Sequence, residues 1–336
     1  KINNPDSKGI VYMTVQGIPR QAYGKVRDFL KPLQEARNRR NLAMVERINL
    51  LLSQGGFPPL SFEHHIIPLS QHHHGGSITE RHLMAAVAQF LITEFGQGPA
   101  LLEGLKTRFG IEAPQKLALL LNDRSNPHYL FDLLGLLKTD FLPQVFIQPD
   151  ETECIPAEQV VSFARHIEAI PAYAYLGDVG DSPTGDKKAE HFEDAYLEEL
   201  FQELKRLGYR AVTYMPPRNS REQLLRVQEL CRRYDLMEIS GVDINSSRQS
   251  FHCPEVLEPQ FHHLVNTTWA LIAHERLASI NLKYSLFHPE NPLASLSLAD
   301  RITLYARLGK ALDKKKPEES ARRFIQEKTL EAYSHG

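Results

Sequence analysis

The chain has 336 residues, 42% of them apolar and 24% charged, with a formal net charge of −2. That is the balance of an ordinary globular protein, long enough for one large α/β domain or two smaller ones. It gives no global field to draw in nucleic acid or an acidic membrane. No apolar run approaches the ~20 residues of a membrane helix. The cysteines Cys154, Cys231 and Cys253 are too few and too widely spaced for a disulfide framework or a paired-cysteine metal knuckle, which fits a reducing cytoplasm. The front of the chain has no apolar signal core and no starting Met, and reads as trimmed or incomplete.

Residues 9–18 are apolar and β-branched and predict a strand, ended by Pro19. Residues 28–52 predict one or two helices, with Leu42, Val45, Ile48, Leu51 and Leu52 on one face. Arg37, Arg39 and Arg40 then fall on a solvated face. Residues 55–76 are loop-rich and hold His64, His65, His72, His73 and His74. Adjacent histidines cannot all reach one ion, so most of these are incidental, and His65 is the metal candidate among them. Ser77 and Glu80 have the spacing of a capping box that opens a helix. Further helices are expected at 99–109, 114–121 and 130–137, so 35–138 is largely helical.

The pattern then changes. A strand is expected at 144–148, a helix at 156–166 and a strand at 170–176. A loop rich in Gly, Pro and charge leads to a helix over 192–207. A strand at 210–215 and a helix at 220–234 follow, the latter with a capping box at Ser220 and Gln223. A strand at 236–239 runs into a polar turn. Helices near 260–280 and 298–312 come next, and residues 313–336 form a Lys- and Glu-rich tail. Strand–helix repeats of about 30–40 residues predict parallel pairing, in an open sheet or a barrel.

In such folds ligands gather beyond the carboxyl ends of the strands. The ends at 175–181, 214–220 and 241–248 therefore share a rim. It collects Asp178, Asp181, Asp243, Asn245, Arg218 and Arg248, with a helix N-terminus at Ser220 suited to an anion. Hard cations prefer oxygen donors of this kind. Singly, each has a plainer reading: Asp178 and Asp181 as turn formers beside glycines, Ser220 as a cap, Arg218 as a solvated cation, and Asp243 with Asn245 as an Asx turn. No GxSxG elbow, P-loop or GxGxxG fingerprint is present, nor a basic aromatic strand face for nucleic acid.

The order of these elements resembles the PHP (polymerase and histidinol phosphatase) domain family. The resemblance covers roughly residues 35–250. It rests on the arginine-rich stretch from Arg37, the strand over 170–177, the Leu204-to-Gly208 helix end with the strand over 211–216, the Ser220 helix start, and the segment Gly241 to Ser246. It implies a distorted TIM-like β/α barrel from residues 1–34 and 139–312, with 35–138 as a helical insertion. It implies a metal-dependent phosphoesterase acting on a small phosphorylated substrate, with a divalent ion (Mn, Zn, Fe or Mg). Asp243, Asp178, Asp181 and His65 are the expected ligands. Asp243, Asn245 and Asp178 are the expected catalytic groups, and Arg218, Ser220 and Arg248 the phosphate contacts.

The departures are chemical. The family's opening His-x-His motif is absent from residues 1–336. Tyr175 stands at the place of one family histidine and Asn245 at that of another, and neither is as basic as imidazole. Tyr175 also reads as a packed strand aromatic. Two functional expectations follow: a variant metal centre completed by Asp178 or Asp181, or a degenerate barrel that binds a phospho-ligand or a partner. Outside the rim, His274 beside Glu275 reads as helix-surface charge. Lys187 and Lys188 read as a loop that could close over an anion.

Overall fold

The computed structural model describes residues 9–178, 193–242, 244 and 246–333. Among these, the sheet has the order β1-β2-β3-β4. Its strands are β1 (Met13–Gln16), β2 (Ile170–Ala174), β3 (Ala211–Tyr214) and β4 (Met237–Ser240). β2, β3 and β4 run parallel, and β1 pairs antiparallel with β2, Met13 opposite Tyr173. The chain is mixed α/β, as its alternating elements predicted.

The first helix, α1 (Tyr23–Gln54), is continuous through Pro32. Met44, Val45, Ile48 and Leu52 on its second half enter an apolar core. That core is shared with α2 (Glu80–Phe95), α3 (Pro99–Phe109), α4 (Gln115–Asn122), α5 (Tyr129–Asp140) and α6 (Leu142–Val145). The N-cap of α2 is Thr79, paired with His82, rather than Ser77 with Glu80. An imidazole at the third helical position accepts from the Thr79 N–H at 3.0 Å and so does the work of the usual acid.

The strand expected at 144–148 does not form. Pro143 sits in the first turn of α6, where its fixed φ suits a helix start. Phe146 and Ile147 instead pack on the helical core. Arg47 and Arg40 donate to the carbonyls of Phe146 and Ile147, at 3.0 and 3.1 Å, which supplies partners without a neighbouring strand.

The α1 arginines are also not the uniform solvated face expected. Arg40 is nearly buried and donates to Glu153 through Nε and Nη2, at 2.6 and 2.9 Å; Arg37 donates to the same carboxylate at 2.7 Å. Glu80 also pairs with Arg40, at 2.8 Å. Burial works to raise the Glu153 carboxyl, but the two guanidinium groups outweigh it and hold the acid below its ordinary range. Arg39 is exposed.

The α/β part is layered. Tyr173, Tyr175, Val212 and Tyr214 project from one face of the sheet. They meet α7 (Ala157–His166), α8 (Leu197–Leu207) and α9 (Arg221–Tyr234). Ile170, Ala172, Ala211, Met237 and Ile239 project from the other face. They meet α10 (His263–Ala278), α11 (Leu298–Ala311), α12 (Pro317–Gln326) and the start of α13 (Thr329–Tyr333). Period-2 alternation on strands buried on both sides accounts for this division. The charged C-terminal stretch is thus helical and contributes Ala321, Phe324 and Leu330 to the core.

His274 is buried within α10, not exposed on its surface. Leu286 N–H donates to its Nδ1 at 2.9 Å, and its Nε2 lies 2.9 Å from the Gly17 carbonyl. Both contacts are satisfied only by the neutral tautomer with the proton on Nε2. Gly17 has φ +59°, and a Cβ there would stand 2.5 Å from the His274 ring, so this approach requires glycine.

Two consequences are measurable. Burial lowers the His274 pKa to about 4. The unfolded imidazole takes up a proton below about 6.5 while the folded one does not, so stability is full above that pH and declines down to about 4, by on the order of 3 kcal/mol. Urea unfolding from pH 7.5 to 4.5 should show this loss, and His274→Gln, which keeps a donor and an acceptor, should lack its share of the slope; equal slopes would contradict the assignment. Glu153→Gln leaves the Arg40 charge short of its main partner and should cost about 3 kcal/mol in the same assay; a change below about 0.5 kcal/mol would place the ion pair outside the stabilising core.

Candidate functional site

At its C-terminal end β2 turns through Leu176, Gly177 and Asp178. Gly177 has φ +70°, and a Cβ there would lie 2.7 Å from the Tyr175 hydroxyl and 2.8 Å from Asn219 Nδ2. Only glycine fits that crowding and that dihedral. The successive N–H groups of this turn all find carboxylates. Leu176 and Gly177 donate to Glu193 Oε2 at 3.2 and 3.3 Å, and Asp178 donates to Asp194 Oδ2 at 3.1 Å. In return the Asp194 N–H donates to Asp178 Oδ1 at 3.3 Å.

The strand tyrosines complete the arrangement. Tyr173 and Tyr175 sit on the same sheet face, two residues apart, and a buried phenol needs a polar partner. Tyr173 donates to Glu193 Oε1 at 2.7 Å and Tyr175 to Asp194 Oδ1 at 2.6 Å. Burial and the adjoining carboxylates push both phenols far above their ordinary value, so each remains a donor. Tyr175 is therefore an acid-binding hydroxyl.

Glu193 is 1% exposed. Burial raises its pKa to about 7, against the pull of the Tyr173 hydroxyl and the Gly177 and Leu176 amides, and with the Asp194 charge adding to the rise. It is a carboxyl poised at neutrality on the rim.

The end of β3 is tied to the same place. Arg218 and Asn219 fold back onto the Met215 carbonyl at 2.9 and 3.2 Å. Asn219 Nδ2 donates to the Leu176 carbonyl at 2.7 Å. The capping box of α9 forms as expected: Gln223 N–H donates to Ser220 Oγ at 3.3 Å, and Gln223 Oε1 accepts from the Ser220 N–H at 2.8 Å. Gln223 Nε2 then reaches across to Asp194 Oδ2 at 2.6 Å and the Asp178 carbonyl at 3.0 Å. Ser220 is thus the cap that sequence indicated, and its hydroxyl is engaged in that role. Arg218 Nε and Asn219 Oδ1 are buried with no hydrogen-bond partner among the described residues.

Arg248 lies elsewhere. Its Nε and Nη2 grip Asp132 Oδ1 and Oδ2 on α5, at 2.8 and 2.7 Å, and Nη2 also reaches Asn126 Oδ1 at 3.3 Å. Its neighbour Ser247 is 2.6 Å from His128 Nδ1, at the N-cap of α5. The loop after β4 is therefore fastened to the helical part. As a phosphate contact, Arg248 is already spent on a carboxylate.

His65 stands in a short turn at Phe62–Ile66, exposed, with Nδ1 accepting from the Ser61 N–H at 2.8 Å. Asp181, Lys187, Lys188, Asp243 and Asn245 lie outside the described residues. Among the described residues no group of three or more His, Cys, Asp or Glu is placed to hold a metal ion. Asp178 at the end of β2 and His65 in its own turn do not by themselves fit a divalent ion.

Sequence reasoning missed Glu193 and Asp194, which look like ordinary acids before a helix. The available signal was Tyr173 and Tyr175, whose shared buried face required polar partners. A second missed cluster lies on the same face: Tyr214 donates to Glu238 Oε2 at 2.6 Å, and His263 Nε2 approaches the same oxygen at 3.1 Å. A scan against protein-family models and searches of curated proteins and of solved structures find no match for this chain.

The Glu193 carboxyl gives a direct check. Carboxyl ¹³C resonances, assigned by loss of one signal in Glu193→Gln, should show a midpoint near 7. Because the folded pKa is raised, this group's stability contribution is present below about 4.5 and is lost as pH rises through about 7. A midpoint at the ordinary glutamate value would contradict the burial of this acid.

Proposed function

We propose that this chain is a phosphoesterase of PHP type, acting on a small phosphorylated substrate at the rim formed by the ends of β2, β3 and β4. On this reading the parallel strands belong to a distorted β/α barrel, residues 35–138 are its helical insertion, and the protein works in the cytoplasm. No helix among the described residues is long and apolar enough to cross a membrane.

The observation that carries the reading is the joining of two strand ends by side chains. Asn219 bonds the Leu176 carbonyl, Gln223 bonds the Asp178 carbonyl, and the neighbouring Arg218 has a buried Nε with no hydrogen-bond partner among the described residues. A carboxylate, an arginine and a helix start collected at that end of a parallel sheet make up the usual ground for binding a phosphate ester. The roles assigned to the chain's own groups are limited. Arg218 neutralises a phosphate oxygen. The α9 start holds the turn that presents it. Asp178, with Asp243 and Asn245 after β4, forms the acidic side. The divalent ion that the reading expects, Mn, Zn, Fe or Mg, would need Asp243 and Asp181 as donors, since Asp178 and His65 do not by themselves fit one.

One observation favours the second reading, a barrel that binds a phospho-ligand or partner without hydrolysis. Glu193 and Asp194 spend their oxygens on donors of the protein itself, and Arg248 is spent on Asp132.

Metal content of the purified protein, hydrolysis of p-nitrophenyl phosphate with each ion added, and calorimetric phosphate binding separate these outcomes. The leading reading expects an ion-stimulated hydrolysis that Asp243→Asn abolishes. It also expects phosphate affinity to fall about tenfold in Arg218→Gln, the worth of one charge-assisted hydrogen bond. Phosphate binding without hydrolysis supports the second reading, and absence of both overturns the hydrolase and the phospho-ligand readings together.

A further inference from the structure

A second concentration of charge lies at the end of the sheet opposite the rim. There α7, α8 and α9 turn into β2, β3 and β4. Each turn passes through a residue in the left-handed region, Glu168, Gly208 and Asp235, with φ of 58°, 87° and 54°, the common close of a helix. Arg165, in the last turn of α7, and Arg210, just before β3, are thereby brought to this end. Arg165 Nη1 lies over the Gly208 turn, 2.6 Å from where a Cβ would stand.

A third arginine arrives from the other layer. Arg301 on α11 lies 5.8 Å from the centre of the Phe287 ring, and Arg210 lies 5.3 Å from the same centre. Arg301 Nη1 donates to the Leu286 carbonyl at 3.0 Å, whereas its Nε is buried with no hydrogen-bond partner among the described residues. Arg210 is half-buried. Burial, with the charges of Arg165 and Arg301, lowers its pKa from the ordinary guanidinium value, against the pull of Glu168 and Asp235. Among the described residues none of the three arginines takes part in an ion pair. Glu168 instead accepts from Ser285 Oγ at 2.5 Å.

Ordinary helix electrostatics does not account for this gathering. A helix C-terminus attracts a cation, which suits Arg165. Arg301 stands one turn from the start of α11, where the dipole opposes a cation. An aromatic face favours one cation, but a second guanidinium at the same ring meets a like charge. Half-buried charges of one sign without a close counter-charge are costly, and a bound dianion removes that cost.

We propose that Arg165, Arg210 and Arg301 form a binding site for a small phosphate-bearing anion, at the amino ends of the strands and separate from the rim. A single guanidinium fork satisfies a carboxylate. Three cations from three elements suit the several oxygens and double charge of a phosphate. The site does not depend on what the rim does.

The test uses the full chain carrying Arg218→Gln, which removes the phosphate contact expected at the rim. Inorganic phosphate is titrated at constant ionic strength while the Nε–H resonances of Arg210 and Arg301 and the thermal midpoint are followed. Loss of one signal in Arg210→Gln and in Arg301→Gln assigns the resonances. Both should shift with one midpoint, and phosphate should raise the thermal midpoint above that in chloride. Arg165→Gln, Arg210→Gln and Arg301→Gln should each weaken phosphate binding about tenfold, the loss of one charge-assisted hydrogen bond. Arg165 is exposed, so its variant keeps the test open if a half-buried substitution prevents folding. Methyl phosphate separates two sources of the group. Binding like that of inorganic phosphate assigns the phosphate of a small ester, and binding of inorganic phosphate alone assigns the free ion. Resonances that do not move with phosphate, or that move equally with acetate, overturn the proposal. So does phosphate affinity unchanged in Arg165→Gln and Arg301→Gln, which would leave these arginines a packing role alone.

Discussion

The rim depends on a pair of adjacent carboxylates that satisfy a strand end. Where β2 finishes, three successive backbone amides leave the sheet ladder and need acceptors in a partly buried place. Glu193 and Asp194 provide them, and Tyr173 and Tyr175 hold the acids in turn. Unpaired, each buried amide would cost about 1–3 kcal/mol, so the turn and the acids stand or fall together. The raised pKa of Glu193 shows what the arrangement costs: burial opposes its charge, and the surrounding donors only partly offset that.

From this clamp the rest of the rim follows. Gly177 is needed because the Tyr175 hydroxyl and the Asn219 amide close in on the place a side chain would occupy. Asn219 and Gln223 then bind β3's end and the start of α9 to β2's end. The loop after β4 is fixed differently, through Arg248 and Ser247 to the N-terminal turn of α5. The loop after β4 is thereby held to the helical part by a partly buried ion pair.

Much of this was legible in the sequence where periodicity is strong. The parallel strands β2 to β4 and the helices between them followed from alternating apolar runs and from the Ser220 capping box, while the order of the sheet and the antiparallel place of β1 did not. Residues 144–148 misled because an apolar β-rich composition does not distinguish a strand from a coil packed on helices. There the carbonyls are met by Arg40 and Arg47, a long-range fact no local pattern carries. Arg37 and Arg40 misled in the same way: their partner Glu153 is more than a hundred residues distant. His274 looked like surface charge beside Glu275, but its neighbours are Gly17 and Leu286.

Of the candidate site, the strand-end location and Asp178, Arg218 and Ser220 were read from the sequence, while the clamp was not. On the proposed reading, Asp178 at the clamped end of β2 and Arg218 at the end of β3 lie at one site for an ion and a phosphate. Anomalous diffraction at the manganese edge, from crystals grown with Mn²⁺ and phosphate, tests it most directly. On the proposed reading an ion is bound to Asp178 and Asp243, with phosphate within hydrogen-bond reach of Arg218. An ion bound elsewhere, or an ordered Asp178 with neither ion nor phosphate at saturating concentrations, would contradict it.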